Sequence, residues 1–106
     1  MNDIPLLPRL NHVIKAVIEE RYRQETKWGE QNHDPFTYLA ILGEEVGEAN
    51  NAALEARFGK NRSRNMDHYK EELIQVAAVA VAMIECIDRD KWQWPKTDNN
   101  GNQLPT

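Results

Sequence analysis

One segment constrains the fold more than any other. Between Leu73 and Ile84 the only polar residue is Gln75, and Val76 to Ile84 is an apolar run of nine residues. A helix that is apolar on nearly every side has to be buried on nearly every side. A membrane span needs about 20 apolar residues, so this run is too short to cross a bilayer. Protein must cover it instead. The chain has 106 residues, enough for one domain. A domain of that size covers only a limited share of its own surface. Ala77, Ala78, Ala80 and Ala82 permit close approach of neighbouring backbones. The segment therefore predicts self-association with this helix at the centre.

Two more helices precede it. Leu10, Val13, Ile14, Val17, Ile18 and Tyr22 recur at helical spacing, with Lys15, Glu19, Glu20 and Arg23 opposite, which predicts a helix over 10–25. Thr26 to Asp34 has no period and contains Gly29, so it reads as a loop. Asp34 as cap and Pro35 at the first helical position open a second helix, and Gly59 closes it, giving 35–58. Its apolar stripe is Leu39, Leu42, Val46, Ala49, Ala53 and Ala56, the seam of a bundle helix. Residues 59–66 read as a basic loop before a third helix over 67–87. The polar tail 88–106 is expected to be irregular, with Trp92 and Trp94 packed back onto the body. The fold class is all-α: one domain over 1–106, a helical bundle whose core is completed by oligomerisation.

Composition narrows the function. The formal net charge is -4, from 17 acidic and 13 basic residues. That argues against a nucleic acid polymer as partner, because coating a polyanion takes a basic excess. The lone cysteine, Cys86, allows no intrachain disulfide and no thiolate-rich zinc site, and reads as a small core residue. The opening residues MNDIPLLPRL lack the basic and long apolar regions of a signal peptide, so a cytoplasmic protein away from the membrane is expected. No Gly-rich phosphate loop and no Ser/His/Asp or Cys/His arrangement is present.

The chemistry lies in two acidic groups, Glu44-Glu45-Val46-Gly47-Glu48 and Glu71-Glu72-Leu73-Ile74-Gln75. Successive helical residues turn by about 100°. Glu45 therefore falls beside the apolar stripe of the second helix, with Glu48 next in its row and Glu44 turned away. On the third helix Glu72 falls among Val76, Val79 and Met83, Gln75 lies one turn on, and Glu71 points out. A Glu-Glu pair on a helix is ordinarily a solvated face. Inward placement changes that reading, because isolated ionised carboxylates on an apolar face are costly and converging ones repel. A hard divalent cation answers both problems. Mg²⁺, with Mn²⁺ as the alternative, takes oxygen ligands of the kind Glu45, Glu48, Glu72 and Gln75 offer.

The loop ahead of the second helix carries Trp28, Gln31, Asn32 and His33. An indole face can stack a base, and Gln, Asn and His offer donors and acceptors to base edges or phosphates. The plainer reading makes Trp28 a loop anchor and His33 a turn residue. Arg57, Lys60 and Arg62 are further candidates for phosphate contact. His12 and His68 show no partner pattern and read as ordinary surface residues.

Trp28 to Ala49, WGEQNHDPFTYLAILGEEVGEA, together with Glu71 to Val76, EELIQV, resembles the MazG-like all-α nucleoside triphosphate pyrophosphatases. Their signature pairs E-x-x-E with E-x-x-D on the next helix. Glu45 and Glu48 match the first half. Glu72 matches the start of the second, and Gln75 stands where the signature has Asp. The Trp, His and Pro ahead of the E-x-x-E helix are similar to the deoxycytidine-triphosphate-cleaving branch, where such loop residues contact the base. The resemblance spans roughly residues 20 to 88. It implies Mg²⁺ held by Glu45, Glu48 and Glu72, a nucleoside triphosphate substrate, and hydrolysis to a nucleoside monophosphate and pyrophosphate in nucleotide-pool house-cleaning. It also implies dimers or tetramers with four-helix-bundle cores. Catalytic roles are expected for Glu45, Glu48 and Glu72. Substrate contacts are expected for Trp28, Gln31, Asn32 and His33. Gln75 can offer a neutral carbonyl oxygen but not the lost charge, so a non-catalytic nucleotide-binding or helical interaction protein on the same fold is the alternative.

Overall fold

A computed structural model describes residues 6–105. The described residues form three helices, α1 (Leu6–Trp28), α2 (Pro35–Phe58) and α3 (Arg62–Asp88), and no strand. α1 runs past both expected ends. Pro8 sits in its first turn, where a backbone N–H has no partner to lose. At the other end Thr26, Lys27 and Trp28 continue the helix until Gly29, at φ +73°, whose N–H donates to the Glu25 carbonyl at 2.8 Å. That left-handed turn is the glycine C-terminal stop.

α2 has the expected bounds. The Asp34 carboxylate accepts from the Phe36 and Thr37 N–H groups, both at 3.0 Å. α3 starts earlier than expected, because the Asn61 side chain caps it by accepting from the Arg64 N–H at 3.1 Å. The basic stretch is therefore mostly helix, and only Gly59 to Asn61 separates α2 from α3. So short a link makes the two helices antiparallel neighbours. Gly59 is needed there, since a Cβ would collide with the Glu55 carbonyl oxygen and the Asn65 amide.

α2 and α3 form the main packed pair, and α1 packs on α3 while its backbone stays clear of α2. The buried row of α2 is Tyr38, Ala49, Ala52 and Ala56, with Leu42 half-buried. Ala49 and Ala56 belong to the expected stripe and Ala53 is half-buried, while Tyr38 and Ala52 join the buried row and Leu39 and Val46 are exposed. α3 buries only Glu72, Ala78, Val79 and Cys86, and leaves Leu73, Val81, Ile84 and Ile87 exposed. The all-round burial that its sequence demands is not met within one chain. At about 100° per residue, Leu73 and Ile84 lie opposite Gln75 and Ala82, which face α1. They continue the exposed flank of Leu39 and Val46 on α2.

The radius of gyration is 17.5 Å, against about 13 Å for a compact domain of this length. No residue of α1 is buried. Its apolar side, with Val13, Ile14, Ile18 and Tyr22, lines an open groove against Ala77 and Val81. Arg21 fastens α1 to α3 by donating from Nε to Glu85 at 2.9 Å, and within α1 its Nη2 donates to Glu25 at 2.8 Å. The tail is irregular, with one isolated bridge between Thr97 and Gln103. Trp94 turns back onto Phe36 at the start of α2, ring centroids 4.9 Å apart, and Trp92 packs edge-on against Trp94.

Candidate metal centre and cleft

Where α2 faces α3, Glu45 and Glu48 from one helix meet Glu72 from the other. One carboxylate oxygen from each lies within 4.8 Å of the other two. Glu72 is 8% exposed, Glu45 is half-buried and Glu48 is open to solvent. Oε2 of Glu45 and Oε2 of Glu72 are both buried and have no hydrogen-bond partner. Burial first, then the Glu48 charge, pushes both carboxyl groups above the usual glutamate range. The Glu72 and Glu20 charges add to the rise at Glu45, while His68 opposes it at Glu72. Buried acceptors without donors are costly. Three hard oxygen donors with two unsatisfied lone-pair sites suit a divalent cation. Glu44 and Glu71 are exposed, as helical spacing predicts, although Glu44 reaches the rim of a neighbouring cleft.

That cleft, about 510 Å³, opens between α1 and α2 over a floor of α3. Its acidic end holds Glu20, Glu44 and Glu45, with Gln75 and Val79 beneath. Its other end holds Trp28, Gln31 and Tyr38. Arg21, Arg23, Gln24 and Lys27 of α1 complete the wall.

Of the loop residues singled out by sequence, Trp28 and Gln31 line the cleft, and Trp28 is 56% exposed. Asn32 and His33 do not line it. The Asn32 Oδ1 accepts from Arg89 Nη2 at 2.9 Å, and its Nδ2 donates to Glu30 at 3.2 Å. His33 packs edge-on against Tyr38, and its carbonyl faces the Cys86 thiol at 3.6 Å. Arg89 also donates to the Gln31 carbonyl at 3.1 Å, which the Tyr38 hydroxyl reaches at 3.0 Å. Asn32 and His33 thus fix the loop in place, and Trp28 and Gln31 face the space it borders. Cys86 is fully buried, as expected for a small core residue.

Arg57 and Arg62 lie by Met66 and Tyr69 around a separate hollow, toward the hairpin end of α2 and α3. Arg57 lies nine positions beyond Glu48, about 13.5 Å along the helix. The cations that do border the cleft, Arg21, Arg23 and Lys27, are on α1; the sequence places Arg23 on the polar side of that helix and Lys27 in the loop after it. Their signal was present as Glu20, Arg23, Gln24 and Lys27, a polar row at helical spacing. His68 was missed as well. It lies one turn before Glu72, with Nε2 at 3.6 Å from its Oε1, an i,i+4 relation visible in the sequence. Comparison with protein-family models, with curated proteins and with solved structures gives no match for this chain.

Proposed function

We propose that the chain is a Mg²⁺-dependent nucleoside triphosphate pyrophosphohydrolase with a MazG-like helical architecture, acting as a homo-oligomer. The observation that carries this reading is the Glu45, Glu48 and Glu72 cluster, with two buried oxygens lacking any donor, of which Glu45 lines the acidic end of an open cleft. Glu45, Glu48 and Glu72 would hold the ion, and Gln75 stands one turn beyond Glu72. When bound, Mg²⁺ supplies positive charge to the phosphates and makes water more acidic. Glu48 is the member most open to solvent, and its carboxylate oxygens are the natural acceptors for the proton of the attacking water. Trp28 offers an exposed indole face for the base, and Gln31 a polar group beside it. The products are a nucleoside monophosphate and pyrophosphate.

The exposed apolar surface supports the homo-oligomeric part of this reading. The buried apolar residues of the described chain are mostly alanine, while Leu39, Val46, Leu73, Ile84 and Ile87 are exposed. Exposed apolar surface on this scale marks an interaction face. Gln75 at the fourth position of the signature favours a second reading, a module that binds the nucleotide without cleaving it. A panel of ribo- and deoxynucleoside triphosphates, assayed for pyrophosphate with and without Mg²⁺, separates the two. Equimolar monophosphate and pyrophosphate that appear only with the metal are expected. Nucleotide-dependent thermal stabilisation without product would favour the binding module.

A further inference from the structure

We infer that Arg23 and Lys27 of α1 hold the phosphate chain of the nucleotide, so that the helix lying across the cleft from the acids supplies the cationic half of the site. This rests on the reading of the cleft as a nucleoside triphosphate site. The basic side chains bordering the cleft are Arg21, Arg23 and Lys27, and all three are on α1. Arg21 is committed elsewhere. Its side chain is 14% exposed and its guanidinium donates to Glu85, Glu25 and Gln24. Arg23 and Lys27 differ from it in both respects. The Arg23 side chain is 66% exposed, and its Nε and Nη2 both donate to a single oxygen of Glu20. Lys27 has no carboxylate partner among the described residues, and its Nζ sits 4.7 Å from the centroid of the Trp28 ring.

Arg23 and Lys27 are four residues apart, on one face of α1 and about 6 Å apart along its axis. They lie between Glu20, whose charge acts on Glu45, and Trp28. Read along the helix, the cleft runs from carboxylates through two cations to an indole, over about 12 Å from Glu20 to Trp28. A nucleoside triphosphate is complementary, with an aromatic base at one end and a metal-binding polyphosphate at the other. With the base at Trp28, the polyphosphate lies within reach of Lys27, Arg23 and the acids. A polyanion offers Arg23 more charge than Glu20 does, and a guanidinium pairs with phosphate oxygens in bidentate fashion. Arg57 and Arg62 are too far along α2 and α3 to serve this stretch.

The test is calorimetric titration, in Mg²⁺, of the four α,β-methylene deoxynucleoside triphosphates into the full chain and into Arg23→Ala, Lys27→Ala, Lys27→Arg and Lys15→Ala. Lys15 is on the same helix, away from the cleft, and carries the same charge. Circular dichroism verifies that each variant is helical. Arg23→Ala and Lys27→Ala are expected to weaken the best-bound analogue about tenfold each, the loss for one charge-assisted contact. Lys15→Ala should match the wild type and Lys27→Arg should retain most of the affinity. Wild-type affinity in both alanine variants would overturn the assignment while leaving the nucleotide site standing. Absence of binding of all four analogues to the wild-type chain would overturn the site and this assignment together.

Discussion

Glu45 and Glu72 each bring one oxygen into the packed interior without a donor to meet it. Glu45→Gln and Glu72→Gln should each lower Mg²⁺-dependent pyrophosphate release by more than the roughly 10–100-fold typical of changes outside the ligand set. Glu71→Gln, on the exposed side of α3, should leave it near wild type. Without metal the same two variants should melt higher than the wild type, because each removes a charge that its neighbours repel. The pH dependence follows from the same two groups. Folding raises their affinity for protons above that of an ordinary glutamate, near 4.5. The stability this gives is fully present below 4.5 and is lost as pH rises through the raised folded values. Asp34 acts in the opposite sense. Hydrogen bonds from Thr37 and Phe36 hold its carboxyl low, so its capping contribution is present above 3.8 and is lost as pH falls through its folded value. Thermal melts in chelator from pH 7.5 down to about 5 should therefore show a rising midpoint, and excess Mg²⁺ should flatten the rise. Gln75→Asp should tighten Mg²⁺ in a calorimetric titration with a non-hydrolysable nucleotide present, and lower the metal-free melting point, since a fourth carboxylate helps a cation and harms its absence. Unchanged or weaker Mg²⁺ affinity would place Gln75 outside the ligand set.

At the scale of the elements, the connection between α2 and α3 turns on Gly59. Replacing it with alanine drives a methyl group into the Glu55 carbonyl and the Asn65 amide that close the hairpin. Denaturant unfolding of Gly59→Ala should show a loss of about 1–3 kcal/mol, the usual cost of overpacking. The three helices and the limits of α2 were legible in the sequence because Asp34, Pro35 and Gly59 are strong local signals. The start of α3 was not, since Asn61 caps it through a side chain that also reads as an ordinary loop residue. The inward turn of Glu72 and the outward turn of Glu71 followed from helical spacing alone. The burial of Tyr38 in place of Leu39 did not, because periodicity fixes an apolar stripe only to within a step of rotation, and the packing of a large ring settles which side wins. The part of α1 in the cleft escaped because spacing within one helix says nothing of which neighbour its polar side will face.

At the scale of the whole molecule, the proposed homo-oligomer would seat a second copy of the chain on the exposed flank of Leu39, Val46, Leu73 and Ile84. Sedimentation at micromolar concentration should show a dimer or a larger species, and Ile84→Arg should shift it to a smaller one by burying an unpaired charge. A well-folded monomer in the wild type would contradict the assembly. α1 has a different position in this scheme. One side of it borders the cleft and the other, with Val13, Ile14, Ile18 and Tyr22, is an open apolar groove. Its tie to its own chain is narrow, an ion cluster around Arg21 and a strip of α3. A helix held so lightly takes its mean position from whatever covers its back. Catalytic rate per chain should consequently fall on dilution more steeply than substrate saturation explains, and recover when chains are concentrated again.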